Sequence, residues 1–294
     1  MDNWWIPTAM KSCLLLGQGP IVAALYNYLQ GNKDLHFSVI SSREITNFSG
    51  SSMQSQHPSS VNLADFVDSD FVIVSWKVID DQANYFLNRL SIALPRTCIV
   101  INLSSAAVYG VGTNLQELNS RICPINGYGV TKRNIELSLE NHFTGRLVNL
   151  RISNLYGSHL FDDITNRVLN SILSRKPLEL LAPTLLIRDY VYLGDLVSFL
   201  ADLLTGINLE DLKVIPQDVN FSTGVGTSTH TLVQNIESLL GRSLQFRTLT
   251  ELAPNIISKS SLDPGLLLKY FGFSPHKLEV GMPEYLSHRL SMFD

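Results

Sequence analysis

Cysteine is scarce in this chain. Cys13, Cys98 and Cys123 are the only three in 294 residues, without the paired spacing of a zinc site or a disulfide framework. Cys13 and Cys98 fall in apolar runs and are expected as small core residues, in a chain suited to a reducing cytoplasm. His142, His159, His230 and His276 share no ligand spacing, so no metal is expected and they are read as surface or packing residues. No apolar run reaches the ~18 residues of a membrane span. Asp2 and the lack of an apolar stretch near the start argue against a signal peptide, and Trp4, Trp5 and Ile6 are expected to pack on the body of the domain. Charged residues make up only 16% of the chain, with a net charge of −4. That balance gives no reason to expect nucleic acid or an anionic membrane as partner. A globular chain with 45% hydrophobic residues remains, long enough to bury a substantial core.

The chemistry-bearing residues gather around Ile125–Glu136, Ile-Asn-Gly-Tyr-Gly-Val-Thr-Lys-Arg-Asn-Ile-Glu. Tyr128 and Lys132 are four apart, so one helical turn stacks them on one face. An unperturbed phenol titrates near ~10, and a neighbouring ammonium favours the phenolate. Ahead of this segment, Ile99–Gly110 reads as a buried parallel strand that ends at Ser104 and Ser105. Ligands of open α/β sheets bind at the carboxyl ends of strands. A hydroxyl there, followed by a Tyr/Lys helix, can polarise a carbonyl and shuttle a proton. The plainer alternatives are a solvated helix face and serines that only cap a turn.

Ser12–Gly19 reads as a strand entering a Gly-x-Gly turn, followed by Pro20 and an apolar-periodic helix Ile21–Leu29. This is the shape of a dinucleotide site, with Gly17 and Gly19 allowing close approach to a pyrophosphate and the helix N-terminus supplying donors. Val22 stands where the third glycine of the fingerprint belongs. His36–Ile40 is a second strand, running into Ser41, Ser42 and Arg43. Hydroxyls and an arginine at this point suit a ribose 2′-phosphate and favour NADP; if Glu44 takes the ribose, the cofactor is NAD. Asn47–Asn62 reads as a mobile surface loop. Asp70–Trp76, Arg146–Arg151 and the start of Asn220–Gly226 are further strands, and Asp81–Leu94, Phe161–Ser174 and Ser228–Leu240 are helices. Arg188 is the best phosphate-binding candidate, because its planar fork suits bidentate recognition; the alternative is an ion pair with Asp189 or Asp195.

Ser-Ser-Ala-Ala-Val-Tyr-Gly followed by Tyr-Gly-Val-Thr-Lys resembles the extended short-chain dehydrogenase/reductases, also called NAD-dependent epimerase/dehydratases. The resemblance continues through Leu150–Gly157, Arg188–Leu196, Asn220–Ser228 and Leu262–Val280. It implies an α/β fold: a Rossmann-type, doubly wound parallel sheet with a smaller C-terminal substrate-binding region. The division implied is a dinucleotide-binding domain over 1–155 and a substrate region over 156–294, with Asn220–Leu240 returning to the first. It assigns Ser105, rather than Ser104, together with Tyr128 and Lys132 to catalysis. Cofactor positions carried over are Gly17, Gly19, Pro20, Ile21, Ser41, Ser42, Arg43, Ser75, Trp76, Tyr128, Lys132, Ile152 and Ser153. Ser75, Trp76 and Lys77 replace the family's small apolar residues. Ala106, Asn154, Arg188 and Asp263 carry over as substrate contacts, without the arginine often found just upstream of Asp263. The helix Asp81–Leu94 corresponds to one that commonly contributes to a homodimer interface.

The resemblance also narrows the reaction. Sugar 4,6-dehydratases carry Asp-Glu directly after the catalytic hydroxyl residue, and here Ala106 and Ala107 stand there. The epimerase-reductases of GDP-fucose synthesis place Cys where this chain has Ala107. A cytoplasmic 4-ketoreductase using NADP or NAD on a nucleotide-diphosphate sugar, of the kind that serves surface polysaccharide synthesis, is the first reading. An NAD-dependent 4-epimerase similar to those acting on UDP-glucose or UDP-GlcNAc is the alternative. A non-catalytic cofactor sensor or scaffold is the third.

Overall fold

The computed structural model describes residues 10–17, 19–41, 55–77, 80–110, 120–206, 214–251, 253 and 255–291. Trp4, Trp5, Ile6, Ser42, Arg43 and Glu44 lie outside them.

The first apolar run forms β1 (Lys11–Leu16), and α1 (Pro20–Leu29) follows. Pro20 opens this helix, where a missing N–H costs nothing, and Val22, Ala23, Leu25 and Leu29 make its buried face. β2 (Leu35–Ile40) is followed by the short edge strand β3 (Ser55–Gln56), two single 3₁₀ turns and β4 (Phe71–Val74), every residue of which is buried. The segment read as a loop over 47–62 is thus partly ordered: Ser55 pairs with Val39, and His57 accepts from the Ser59 N–H to start the turn Pro58–Ser60. Residues 47–54 of that segment are outside the described residues. α2 (Asp81–Ala93) is capped by Asp80, whose carboxylate accepts from the Ala83 N–H at 2.7 Å.

β5 (Ile99–Ser105) leads into a 3₁₀ turn, Ala106–Tyr109, and then α3 (Gly127–His142). The chain continues through β6 (Arg146–Ile152), β7 (Asn154–Tyr156), α4 (Ile164–Ser174), β8 (Leu178–Leu181), β9 (Ile187–Tyr192) and α5 (Leu193–Gly206). β10 (Asp218–Phe221), β11 (Gly226–Ser228), α6 (Thr229–Leu240), β12 (Phe246–Leu249), β13 (Lys259–Ser260), α7 (Gly265–Phe271) and α8 (Leu278–Leu290) complete it. The helix expected from Phe161 starts three residues later because Asp163 caps it, accepting from the Asn166 N–H at 2.9 Å.

The seven-stranded sheet runs β10-β6-β5-β4-β1-β2-β3. The pairings β1–β2, β1–β4, β2–β3, β4–β5 and β6–β10 are all parallel. Parallel neighbours need crossovers, which the intervening helices supply. From β1 the order proceeds outward to β2 and β3, then restarts at β4 and runs the other way. This is the doubly wound, Rossmann-type α/β fold, with its switch point between β1 and β4.

The chain divides into two compact units. The first takes its residues from Met1–Leu103, Glu136–Val148 and Leu200–Gln217. Its core includes Cys13 and Cys98, exposed by only 2% and 0% and thus packing residues as expected. The second takes its residues from Ser104–Ile135, Asn149–Phe199 and Asp218–Asp294. There β9 pairs with β7, β11 and β13, β8 pairs with β12, and Tyr156, Leu169, Leu232, Ile236 and Met282 centre the core. Among the described residues no helix is long and apolar enough to cross a membrane.

Candidate active site

In the first unit the switch point carries the glycine turn. Gly17 has φ +130°, a conformation L side chains rarely adopt, and a Cβ on it would stand 3.2 Å from the carbonyl carbon and oxygen of Ser75. Two hydrogen bonds fix this approach: Gly17 N–H to Ile40 O at 2.9 Å and Ser75 N–H to Leu16 O at 2.8 Å. Gly19 is the N-cap of α1, and nothing lies within 4 Å of where its Cβ would be. A bare N-cap before Pro20 and Ile21, open on that side, fits the close approach of a pyrophosphate to backbone donors. These residues therefore suit a dinucleotide. Ser41 is buried and its N–H bonds Gln56 O at 2.9 Å. Trp76 is 4% exposed, with its ring edge-on to Phe86 at 6.4 Å between centroids. Its indole belongs to the core of this unit.

In the second unit, Ser105 ends β5 in extended geometry and its Oγ accepts the Ala107 N–H at 3.2 Å. That bond starts the turn Ala106–Tyr109, in which Ala106, Val108 and Tyr109 are buried with Leu262. α3 begins against this turn. Asn126 caps it, accepting the Gly129 N–H at 2.9 Å. A Cβ on Gly129 would meet Ala107 O at 2.5 Å and Pro124 Cβ at 3.0 Å, so glycine is what lets the helix start lie on the serine's turn. One helical turn brings Tyr128 and Lys132 together: the Lys132 Nζ lies over the Tyr128 ring, 5.9 Å from its centroid. Lys132 is buried at 4% exposure.

Desolvation pushes the Tyr128 phenol above its ordinary value, and a hydrogen bond with Ser105 pulls it back in part. The expectation of a phenol held low by Lys132 is therefore corrected. Desolvation of the hydroxyl outweighs the lowering by Ser105 even though the Tyr128 side chain as a whole is 41% exposed, and Lys132 makes a cation–π contact with the ring.

Ile152 and Ser153 follow Arg151 at the end of β6. Ser153 is buried, its N–H bonds Phe221 O at 3.0 Å, and its Oγ has no partner among the described residues. Asn154 and Arg188 both line a cavity of 500 Å³ with Asp163, Arg167, Glu179 and Tyr190. Arg188 has no carboxylate partner among the described residues, so the ion pair with Asp189 or Asp195 does not form. Its Nη1 donates to Ile187 O at 2.8 Å and Ser258 O at 3.1 Å, and its Nη2 to Ile257 O. Burial lowers its pKa. Asp195 instead accepts from the backbone N–H and the Nδ1 of His276. The Asp263 carboxylate accepts the Gly265 N–H at 2.9 Å. No group of three or more histidine, cysteine or acidic residues that could hold a metal occurs among the described residues.

Several positioning residues carry no spacing signal. Asn126 is the exception, since an N-cap residue ahead of a helical stretch is a recognisable pattern. Asp189 is fully buried and accepts from Thr223 Oγ1 at 2.7 Å, Thr223 N–H at 3.1 Å and Gly224 N–H at 2.9 Å. Desolvation nonetheless pushes it up to about 6.

Solved structures of similar fold cover nearly the whole chain. The UDP-N-acetylglucosamine 4-epimerase of Methanobrevibacter ruminantium, in complex with UDP-N-acetylmuramic acid, has TM-score 0.78 at 19% identity over 97% of this chain and 99% of that one. The UDP-glucose 4-epimerase of Thermus thermophilus, in complex with NAD, has TM-score 0.75 at 19% identity, covering 94% and 98%. The dTDP-glucose 4,6-dehydratase of Bacillus anthracis, also with NAD, has TM-score 0.76 at 15% identity, covering 94% and 96%. Identities this low carry the fold alone. No protein of curated function matches the sequence. The family model for NAD dependent epimerase/dehydratases matches residues 62–213, more than half of the chain, and the protein belongs to that family.

Proposed function

We propose that the protein is an NAD-dependent oxidoreductase acting at carbon four of a nucleotide-diphosphate sugar, with 4-epimerisation as its net reaction. The observation that carries this is the convergence of Ser105, Tyr128 and Lys132: α3 starts against the turn that Ser105 opens, and the buried Lys132 ammonium lies over the Tyr128 ring. Gly17, Gly19 and the α1 N-terminus suit the pyrophosphate of a dinucleotide, and Tyr128, Lys132 and Ser153 are the residues assigned to a nicotinamide. When bound, the nicotinamide supplies the acceptor and donor of hydride. Because the resting phenol is protonated, Tyr128 must first give its proton to solvent. As the phenolate it then takes the proton of the sugar 4-hydroxyl as the carbon is oxidised and returns it on reduction of the other face. Ser105 hydrogen-bonds the same oxygen, and Lys132 keeps a positive charge beside the phenolate that forms. Asn154 and Arg188 would receive the diphosphate in the 500 Å³ cavity that they line, with the Nε and the second Nη2 proton of Arg188 as the donors left over from its carbonyl bonds. Ala106 and Ala107 offer no acid or base, which speaks against elimination of water.

A second reading, 4-keto reduction with NADPH, keeps one specific support in Ser42 and Arg43, which suit a 2′-phosphate. Denaturing the purified protein and identifying the released dinucleotide separates the two. Near-stoichiometric NAD is expected for the epimerase. An empty site that prefers NADPH to NADH would favour the reductase instead. With UDP-glucose and NAD, Tyr128→Phe is expected to lower turnover by about 10²–10⁴. Turnover that survives this change would remove Tyr128 from the chemistry, whereas an unmodified protein that binds the dinucleotide and turns over no sugar would be a cofactor-binding scaffold.

A further inference from the structure

We propose that Tyr109 is a positioning residue for Ser105, its hydroxyl pinning the turn that presents the serine to β6, to β10 and to the segment that carries Asp263. The proposal rests on the roles given above to Ser105 and Tyr128.

Tyr109 is 2% exposed. Its Oη accepts from Arg151 Nη1 at 3.0 Å and donates to Asn220 Oδ1 at 2.9 Å. Both partners are themselves anchored. Arg151 is 1% exposed and pairs with Asp218 at 2.8 Å, while Asn149 donates to the other Asp218 oxygen at 3.0 Å. The Asn220 amide donates to the backbone carbonyl of Asp263 at 3.2 Å. Between Ser105 and Tyr109 the chain makes one 3₁₀ turn, held by the Ala107 N–H on Ser105 Oγ and the Gly110 N–H on Ala107 O at 3.3 Å. Movement at Tyr109 therefore passes to Ser105 with little slack.

The hydroxyl is the informative atom. A phenylalanine would fill the same space and keep the cation–π contact with Arg151, whose guanidinium lies 5.1 Å from the ring centroid. Only the hydroxyl can accept from a buried guanidinium and donate to an amide oxygen at once. Doing both fixes the orientation of Arg151 and Asn220, and with them the ends of β6 and β10. Ile152 and Ser153 follow Arg151 directly, so the tie also bears on the residues assigned to the nicotinamide end.

The test is the titration of Tyr128 in the full-length protein, followed by NMR of isotope-labelled tyrosine rings and assigned with Tyr128→Phe. Thermal melting runs alongside. Because the Ser105 hydrogen bond pulls the phenol down, Ser105→Ala is expected to move the titration to higher pH. Tyr109→Phe is expected to move it in the same direction by less, with a fall in Tm of about 2–6 °C. Ile172→Val, a core change in the same unit, is expected to lower Tm and leave Tyr128 where it is. If Tyr109→Phe lowers Tm while Tyr128 titrates as in the unmodified protein, and Ser105→Ala still moves it, Tyr109 is structural and the proposal fails alone. If Ser105→Ala moves nothing, the Ser105–Tyr128 coupling fails, and the proposal falls with it.

Discussion

Replacing Gly129 by alanine sets two effects of opposite sign against each other. Alanine favours a helix over glycine by up to about 1 kcal/mol, so on propensity alone the variant should be more stable. The site does not admit the methyl. It would lie 2.5 Å from the Ala107 carbonyl oxygen and 3.1 Å from its carbon, where ordinary contact begins near 3.4 Å. A side chain could swing aside, but these are backbone atoms of the turn that Ser105 starts, and Pro124 closes the neighbouring side at 3.0 Å. The helix start and the turn must separate by about 1 Å, at an overpacking cost of about 1–3 kcal/mol. Because the opposing atoms are backbone, the upper part of that range applies, about 2–3 kcal/mol, and the clash wins: Gly129→Ala is expected to lose about 1–2 kcal/mol net, read as a fall in Tm of roughly 3–6 °C. The same separation moves Tyr128 away from Ser105, and a misplacement of about 1 Å can cost about 10² in rate. Thermal melting and kcat with UDP-glucose and NAD measure the two consequences separately. A variant as stable and as active as the parent would refute the close approach of α3 to the serine's turn.

Gly17→Ala places a side chain at φ +130°, against the Ser75 carbonyl at 3.2 Å. It is expected to weaken NAD binding about tenfold or more by calorimetry; an unchanged Kd would mean that the turn does not shape the dinucleotide site. Asp189 makes a pH-dependent prediction, because burial raises it in the fold from 3.8 to about 6. The folded protein then holds this proton more tightly than the unfolded chain. The group's contribution is greatest below about pH 4 and is lost as pH rises through about 6. Asp189→Asn removes the titration, so the stability of the unmodified protein relative to this variant should fall by up to about 3 kcal/mol between about pH 4 and 7. Urea unfolding at a series of pH values measures it, and a flat difference would contradict the raised value.

Local periodicity carried much of the fold. The apolar runs that became β1, β4 and β5 are buried almost throughout, and a fully buried parallel strand has no polar face to disguise it. The spacing of Tyr128 and Lys132 worked for the same reason, since a helical turn needs only its own residues to bring them together. Boundaries yielded where a single side chain decided them. Phe161 continued an apolar pattern, yet the Asp163 carboxylate fixed the start of α4. The balance of charges around a site was less legible. Nothing near Tyr128 in sequence says that desolvation outweighs the lowering by Ser105, and nothing near Arg188 says that part of its fork donates to carbonyls of Ile257 and Ser258.

The Tyr109 hydroxyl marks where such reading stops. Its partners, Arg151 and Asn220, stand 42 and 111 positions away. Neither distance is a period of helix or strand, so no pattern of spacing could have joined them. They meet because β6 and β10 are parallel neighbours in register, with Arg151 opposite Asn220. That pairing forms only when the second unit's part of the sheet does. Ser105 could be found from the strand it ends and from the motif around it. The groups that hold its turn still belong to the topology, which is why a change of one oxygen atom at Tyr109 should reach a phenol on another element.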